Sequence, residues 1–409
     1  MEKVFFMFNI NIFLDKLIFI CLFFYSLTFL FSIPINLFTT AFILGILKLF
    51  FSKKLKIKIS SKCIYFIVLF ILCVFLSIIF NTSSAISTTQ LLEYKSRFIS
   101  PLMAFCLIFL FKITYKRILI ILAGFSCSLL LNSVVIIYQF YAQSILDRPV
   151  GFSTEHYMFL AGINLLILPI IFVLSIYDNQ LPLKFRSLFL ITILINIPAI
   201  VFENTRSVWL GLSILFSLSI LFSIKNKIKA CILVIFLLLC GSLFFQLSPT
   251  SVQRFETITS TSYEVQSNYE RLLMWNSAFN MFIDYPLTGV GVGNYHTQYM
   301  EHYRSVESRE ITWHPHNNLL YILAETGLLG GLSYISLFVY LYYISIKDYI
   351  SSKNVVTLCY LMSLIGYTIN SFIDCVFCGY GLKDLTYLFW FFTGIYLLFN
   401  QYIIIKYKK

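Results

Sequence analysis

The sequence has 409 residues, of which 59% are hydrophobic, 18% aromatic and only 12% charged. A soluble domain carries about 25% charged residues, and it cannot bury this much apolar surface. The apolar residues form continuous runs of about 17 to 25, the length of a membrane-spanning helix, whereas membrane barrels need short alternating strands. The composition excludes a soluble enzyme, a disordered chain and a disulfide-rich secreted domain. It predicts an all-α, polytopic integral membrane protein.

The apolar runs predict about twelve membrane-spanning helices. The first is expected to be a retained anchor, because no small-residue cleavage site follows it. They form an N-terminal bundle of about nine spans (1–247) and about three C-terminal spans (318–409), separated by one large loop (248–317). The predicted spans are 17–33, 34–51, 63–80, 97–111, 118–140, 156–176, 188–202, 207–223, 230–247, 318–346, 355–374 and 385–404.

The basic residues predict the orientation of the bundle. Of the 30 basic residues, 21 lie at the termini and in alternate loops, which the positive-inside rule assigns to the cytoplasm. Both termini are therefore expected to be cytoplasmic. The net charge of +12 is mostly this topology signal, and no basic stripe interleaved with aromatic residues indicates a nucleic-acid partner.

The exterior side carries a different set of cations. Seven of its nine basic residues are arginine, whereas 19 of the 21 interior ones are lysine. The planar guanidinium suits bidentate binding of phosphate or carboxylate, and all five histidines also fall outside. Polar chemistry is thus expected on the outer face. The exterior basic residues are Lys95, Arg97, Arg148, Arg206, Arg254, Arg271, Arg304, Arg309 and Lys383.

The large exterior loop is the segment most typical of a functional element, since long loops in compact proteins usually carry function. Within it, Tyr269 to Ile283 has apolar residues at helical spacing, which predicts an amphipathic helix on the membrane surface or on the bundle. Gly289, Gly291 and Gly293 predict a flexible turn. They do not form a dinucleotide-binding motif, because the spacing differs and no strand precedes them.

Two arginines are candidates for anion binding. Arg206 follows the turn Glu203-Asn204-Thr205 and opens a helix, where a cation opposes the helix dipole unless an anion binds there. The alternative is an interface arginine paired with Glu203. Arg271 lies on the amphipathic helix and points either into a cleft or out to water.

The segment Trp313-His314-Pro315-His316-Asn317 enters a long span. Two histidines could ligate a metal, but no third His, Cys or carboxylate stands at ligand spacing, so no metal is predicted. At a helix N-terminus the dipole disfavours imidazolium, which keeps a histidine neutral as a general base requires. The alternative is a capping or interface histidine.

Two features of the C-terminal spans are given structural interpretations. Glu325 lies two and a half helical turns beyond His316 and faces away from it, so a structural hydrogen-bond partner is expected. Cys375 and Cys378 form a C-x-x-C pair near the exterior end of a span, for which a disulfide remains open.

Together these motifs resemble the O-antigen ligase and polymerase superfamily over about residues 200–345. The resemblance implies a polytopic protein with one large periplasmic loop that acts on glycans carried by undecaprenyl pyrophosphate. It also implies that Arg206 and Arg271 match the family's essential arginines and His316 its essential histidine. The matching motifs are Thr205-Arg206-Ser207, Arg271 with Trp275, Pro286 to Asn294, and His314 to Gly330.

The resemblance implies an O-antigen ligase. Because two arginines can bind a pyrophosphate without a metal and a neutral histidine can take the acceptor's proton, we expect metal-independent, inverting glycosyl transfer without a cofactor. Such an enzyme moves the glycan to a sugar hydroxyl of lipid A–core at the periplasmic face of the bacterial inner membrane. Its partners are the undecaprenyl-pyrophosphate-linked donor, lipid A–core or another glycan acceptor, and membrane lipids. Expected catalytic residues are His316, Arg206 and Arg271. Expected substrate contacts are Lys95, Arg97, His314, Asn317, Trp275 and Asn294.

Three alternative activities remain. A polymerase joins lipid-linked repeats, and a protein O-oligosaccharyltransferase transfers the glycan to Ser or Thr. The single large loop near the C-terminus, with no added C-terminal soluble domain, favours the ligase by analogy. A glycolipid transporter is less favoured, because transporters place charges near the bilayer midplane, whereas most exterior charges here lie at the membrane boundary.

Overall fold

The computed structural model describes residues 2–30, 37–51, 61–81, 86–145, 148–152, 157–224, 226–246, 249–257, 260–377 and 383–407. Within these ranges the chain is almost entirely helical and contains no strand, so the predicted all-α class is confirmed. His156, Cys378 and most of the lysine-rich segment at 52–60 lie outside the described residues. The Cys375–Cys378 disulfide therefore stays a prediction.

Sixteen α-helices are described, and short π-helical segments at Lys95–Ile99 and Tyr299–Tyr303 follow the fourth and thirteenth. In chain order they are α1 Glu2–Thr28, α2 Leu37–Phe51, α3 Ser61–Ile79, α4 Thr88–Tyr94, α5 Leu102–Leu110, α6 Tyr115–Tyr141, α7 Tyr157–Tyr177, α8 Leu183–Phe202, α9 Arg206–Ser223, α10 Lys227–Gln246, α11 Pro249–Glu256, α12 Gln266–Asp284, α13 Tyr295–Gln298, α14 Asn318–Ser352, α15 Val355–Ile373 and α16 Lys383–Tyr407.

Eight described helices are long and apolar enough to cross a membrane, and α2 and residues 384–399 of α16 form shorter apolar helices. The protein is therefore a polytopic membrane protein. Each predicted span overlaps a helix, and within the span predicted at 97–111 the chain passes from the π-helical segment into α5. Ser100 and Pro101, which lie between them, keep right-handed helical dihedrals, so the helical path continues through this region and the span at 97–111 stays a prediction.

The centre of the bundle is α7. Its most apolar stretch is 94% buried, and it packs against α8, α9, α15 and α16. A helix enclosed on all sides needs no polar face, which explains why α7 is apolar around its whole circumference. It provides the rigid element against which the first residues of α9 and the last residues of α15 are positioned.

The amphipathic helix predicted in the large loop is α12, and it packs on α14. Its buried face includes Met274, Ala278 and Met281. Other apolar residues of the predicted face, among them Leu272 and Phe279, are exposed instead. The helix thus presents one apolar stripe to the bundle and leaves a second one uncovered, as expected for a helix at a membrane interface.

Helix α14 is interrupted at Gly327, whose φ and ψ are 60° and −154°. A break inside an apolar helix exposes backbone groups that must be paired within the protein. The glycine-rich part of the loop supplies the partners, because the amide of Val290 donates to the carbonyl of Ala324 (2.8 Å) and that of Gly291 to the carbonyl of Glu325 (3.0 Å). The amides just beyond the break donate back to the same loop.

Glycine is required on both sides of this junction. A Cβ on Gly289 would lie 2.3 Å from the carbonyl carbon of Glu325, and one on Gly327 would lie 2.4 Å from that of Leu287. Both glycines also have positive φ, which L residues with a side chain rarely adopt. The turn predicted to be flexible is therefore pinned to α14 by close backbone packing and hydrogen bonds.

Candidate functional site

The turn between α8 and α9 presents Arg206. Asn204 adopts φ 56°, and Thr205 precedes the helix without capping it, because its hydroxyl donates to the carbonyl of Glu203 instead. The first amides of α9 therefore receive no side-chain cap from Thr205. Uncapped amides beside a guanidinium form an arrangement suited to an anion.

The guanidinium of Arg206 holds the large loop against this turn. It donates to the Thr257 carbonyl (3.0 Å), the Ser267 hydroxyl (2.7 Å) and the Asn268 side-chain oxygen (3.0 Å). No ion pair between Arg206 and Glu203 occurs in the described structure, so the paired-interface alternative does not describe this arginine.

Arginines from separate segments surround Arg206. Its guanidinium lies within electrostatic range of Arg148, Arg254 and Arg271, and we call these four residues the arginine cluster. Like charges held together repel one another, so the cluster is stabilised when an anion joins it. A diphosphate fits this requirement, because guanidinium groups bind phosphate through paired hydrogen bonds.

Arg271 follows a buried carboxylate on α12. Glu270 is buried and accepts hydrogen bonds from the Ser308 hydroxyl (2.7 Å) and the Arg309 amide (2.8 Å), which ties one side of α12 to the loop. Burial lowers the pKa of Arg271, whereas the nearby Asp374 carboxylate raises it. Arg271 is thus a partly exposed cation that links the arginine cluster to a carboxylate.

Arg148 is a residue that sequence reasoning recorded only as one of the exterior cations. It has a positive φ of 53°, and its guanidinium carbon lies 4.0 Å from the centre of the Tyr157 ring. Its Nε is shielded from solvent and lacks a hydrogen-bond partner among the described residues. The sequence signal available was the dipeptide Arg148-Pro149 in an exterior loop, which carries little information without the neighbouring arginines.

His316 is placed by an unusual backbone turn. Pro315 restricts the chain, His316 itself adopts φ 51°, and Asn317 then caps α14 by accepting from the Leu320 amide (3.1 Å). A bulky residue in the left-handed region is strained, and such strain clusters at functional sites. Asn317, predicted to contact substrate, has a capping role in the structure.

Asp374 is the functional candidate that sequence reasoning missed. It ends α15, and its Oδ1 lies 3.0 Å from Nδ1 of His316 and accepts from the Cys375 amide (2.8 Å). Burial alone raises the pKa of Asp374, but the His316 hydrogen bond, the charges of His314 and His316 and the Cys375 amide together lower it to about 2. An ionised carboxylate at this position fixes the imidazole proton on Nδ1, which leaves Nε2 as the basic nitrogen.

The only described group of three metal-ligand side chains consists of His314, His316 and Asp374, whose ligand atoms lie within 4.8 Å of one another. His314 Nδ1 is 3.8 Å from Asp374 Oδ1, and it also accepts from the His316 amide (3.4 Å). Along the chain no carboxylate stands at ligand spacing from the two histidines, but the fold brings Asp374 next to them. A metal on Nδ1 of His316 would replace the hydrogen bond to Asp374, so the two arrangements exclude each other.

Arg97 is placed differently from the other predicted site residues. Its NH1 forms an ion pair with Oε2 of Glu325 (2.7 Å), its Nε donates to the Phe377 carbonyl (2.8 Å), and both paired side chains are 1% exposed. Lys95, two residues earlier, is exposed. A side chain so enclosed is not available to a lipid phosphate in this structure, whereas the expected structural partner of Glu325 is confirmed.

The two remaining predicted substrate contacts lie near the loop junction and on α12. The Asn294 side-chain amide donates to the Val290 carbonyl (3.0 Å) and so helps to hold the glycine-rich turn. The indole nitrogen of Trp275, one helical turn beyond Arg271, is shielded from solvent and makes no hydrogen bond among the described residues. Trp275 therefore has an unused donor on the helix that carries Arg271.

Asp374 connects the two halves of the candidate site. It contacts His316 directly and acts electrostatically on Arg271, which in turn lies near Arg206. The arrangement places an imidazole that can act as a base beside a cluster of cations. Chemically, it can remove a proton from a hydroxyl group while binding an anionic leaving group.

Comparison with known proteins identifies a family segment. Residues 188–335 match the model of a family described as O-antigen ligase. This segment runs from α8 into the first half of α14 and contains Arg206, Arg271 and His316, so the resemblance predicted from the motifs is confirmed there.

Three curated relatives match parts of the chain. A teichuronic acid biosynthesis protein of Bacillus subtilis is 34% identical over 23% of this chain and 19% of its own length. Candidate polysaccharide ligases of Rickettsia prowazekii and Rickettsia conorii are 25% and 24% identical over 46% and 41% of this chain, and over 45% and 40% of their own lengths. The chain thus spans less than half the length of each relative. The family match and these names support a glycan transferase of the O-antigen ligase and polymerase type.

Proposed function

We propose that the protein is a membrane glycosyltransferase of the O-antigen ligase type. It moves a glycan from undecaprenyl pyrophosphate to a sugar hydroxyl of lipid A–core, in the inner membrane and at the periplasmic face. The observation that carries the proposal is the hydrogen bond between His316 and Asp374 beside Arg271. A base and an anion site are thereby adjacent, as this transfer requires.

The arginine cluster holds the pyrophosphate of the donor. The leaving group gains negative charge as the anomeric bond breaks, and fixed positive charge at that place is a large catalytic contribution. Arg206 and Arg271 are the principal clamps, and Arg148 and Arg254 add to the local positive potential. No nucleotide is needed, because the departing pyrophosphoryl lipid drives the transfer.

His316 acts as the general base. The acceptor oxygen attacks the anomeric carbon from the face opposite the pyrophosphate, and its proton passes to Nε2 of His316. The bond between the anomeric carbon and the phosphate oxygen breaks, its electron pair stays on the pyrophosphate, and the configuration inverts. Asp374 stabilises the imidazolium that forms and holds the ring in the correct tautomer, as a carboxylate does in a catalytic triad.

The reaction proceeds without a metal in this proposal, since the arginines supply the charge that a divalent ion would otherwise provide. The competing arrangement is an ion bound by His314, His316 and Asp374. Assaying the purified enzyme in excess chelator distinguishes the two. Full activity supports the base role of His316, whereas a loss that a divalent ion restores overturns it.

The remaining choices concern the acceptor. A polymerase would transfer the glycan to another lipid-linked repeat, and a protein-directed enzyme would transfer it to Ser or Thr. Deleting the gene separates these activities. Lipid A–core without any polymer indicates the ligase, lipid A–core with a single repeat indicates the polymerase, and loss of glycan from proteins alone indicates the protein-directed enzyme. An unchanged glycan profile in all three fractions would overturn the proposal.

A further inference from the structure

A polar cavity lies at the end of the bundle opposite His316. Helix α14 begins beside His316 and runs for 35 residues, roughly 50 Å, before it ends near this cavity. The cavity has a volume of about 550 Å³, within the range of ligand pockets. Its walls come from the ends of α7, α9, α10, α14 and α15.

Two lysines bring positive charge to the cavity. Lys227 opens α10 and donates to the carbonyls of Leu221 (2.5 Å) and Ile224 (3.3 Å), while Lys353 follows α14 with its ammonium 4.8 Å from the Tyr349 ring centre. Among the described residues neither ammonium has a carboxylate within ion-pair distance. The mouth of the cavity therefore has positive charge that no described side chain neutralises.

Hydroxyl groups line the same space. The Tyr177 and Ser223 side chains contribute to the wall, and the Tyr177 hydroxyl lies close to that of Ser223. The Tyr349 hydroxyl donates to the Phe222 carbonyl (3.0 Å). Hydroxyl groups at the wall can rotate to donate to a phosphate oxygen.

The rest of the wall is apolar, with Ile176, Phe222 and Leu358 among its members, and Ile176 and Phe222 are exposed on the outside of the bundle. A ligand that satisfies these walls has an anionic head and apolar chains. We propose that this cavity binds the phosphate head group of an anionic phospholipid, with its acyl chains along the exposed side of α9. Basic pockets between membrane helices on the cytoplasmic side bind such head groups in general, and the positive-inside distribution predicts that side here.

The proposal is tested with the full-length protein in neutral detergent, by native mass spectrometry of bound dioleoylphosphatidylglycerol. Wild-type protein should retain one lipid preferentially over dioleoylphosphatidylcholine. Each lysine near an anionic head group contributes about a fivefold factor, so the Lys227→Gln/Lys353→Gln double variant should bind about 30-fold more weakly. The Lys227→Arg/Lys353→Arg variant keeps both charges and should bind within a few-fold of wild type.

The matched control removes two lysines at the same end of the bundle but outside the cavity, in a Lys184→Gln/Lys347→Gln variant. Its affinity should stay within about twofold of wild type. Equal losses in both Gln variants would show a diffuse basic belt and overturn the proposal, as would unchanged binding in the cavity variant or equal binding of phosphatidylcholine. Complete displacement of the lipid by millimolar inorganic phosphate would assign the site to a free anion instead.

Discussion

Two carboxylates near the first half of α14 interact with basic side chains in different ways. Glu325 accepts from Arg97, from the Gly293 amide (2.9 Å) and from the Tyr295 amide (3.4 Å), and the ion pair is enclosed. Asp374 is 2% exposed, but its partner His316 is 26% exposed. We call the Arg97–Glu325 ion pair the closed pair, because no ligand can reach it. We call the His316–Asp374 pair the open pair, because its imidazole is partly exposed.

The difference shows how one kind of interaction serves two purposes. A fully enclosed ion pair that joins distant segments fixes their arrangement, and breaking it leaves an uncompensated buried charge. A buried carboxylate paired with a partly exposed imidazole instead directs a proton-accepting nitrogen outward. The exposed fraction of the basic partner, rather than the presence of a charge pair, distinguishes the open pair at the candidate site from the closed pair, which is structural.

The largest effect is expected for His316→Ala. Removing the base should lower glycan transfer by about 10³-fold or more, within the range for general bases, while expression and membrane insertion stay normal. Transfer to lipid A–core in membranes measures the loss. His302→Ala is the control, because that histidine is exposed in the large loop, and its activity should be near wild type. An active His316→Ala enzyme would rule out the base role.

Glu325→Gln probes the closed pair. Without the carboxylate, Arg97 remains buried and uncompensated, so the free energy of unfolding should fall by about 3–5 kcal/mol and little folded protein should accumulate. Fluorescence-detected size exclusion in detergent measures the folded fraction. A variant that folds normally but loses transfer would instead place this pair in the catalytic site.

A third carboxyl, Glu203, is buried, forms no ion pair with any described residue, and extends the comparison. Burial raises the pKa of Glu203 to about 8. The folded protein therefore holds this proton while the unfolded chain releases it. As pH rises from about 4.5 to about 8, stability should fall by about 1.4 kcal/mol per pH unit, reaching about 3 kcal/mol at pH 7.

Glu203→Gln should remove this dependence, so that the gain in melting temperature over wild type is larger at pH 7.5 than at pH 5. Thermal unfolding in detergent at both pH values measures it. An equal difference at the two pH values would mean that Glu203 is ionised in the folded protein.

Asp374→Asn tests whether the open pair orients the base. The substitution keeps the shape but not the charge, so kcat should fall by about 10²-fold while KM for the donor stays nearly constant and the melting temperature changes little. The reason is that Asn neither fixes the imidazole proton nor stabilises imidazolium. A matching fall in stability with unchanged kcat would assign Asp374 a purely structural role.

Arg271→Lys should lose most of the activity, about tenfold or more, because an ammonium cannot make the paired contacts of a guanidinium with phosphate. The effect is measured as kcat/KM for the lipid-linked donor. Arg309→Lys is the matched control, since Arg309 is exposed and stacks on Tyr263 at 4.0 Å. Full activity of Arg271→Lys would indicate a surface role.

The helices were predictable from the sequence because the length of an apolar run is a local property. The predicted spans 63–80 and 207–223 differ from α3 and α9 by two residues or fewer at each end. The interruption of α14 was not predicted. From the sequence, Gly327 is interpreted as a small residue that permits close helix packing. Its non-helical conformation depends on the loop at 286–291, which lies against it in the structure.

The candidate site was predictable only in part, for a related reason. Arg206, Arg271 and His316 stand in recognisable motifs, but Asp374 lies 58 residues beyond His316 and outside all of these motifs. Arg97 and Glu325 are 228 residues apart, and no local pattern relates them. Partners brought together by the fold leave no spacing signal, so the role of Arg97 could not be deduced from its exterior position.

The junction between the glycine-rich loop and α14 has a consequence for biosynthesis. The ribosome makes residues 286–291 before it makes α14, so the groups that pair with the interruption at Gly327 have already been synthesised when that helix enters the bilayer. The loop that supplies the hydrogen-bond partners is therefore made before the helix that needs them. A circularly permuted chain that delivers α14 first should insert poorly, even though every contact of the finished protein is preserved.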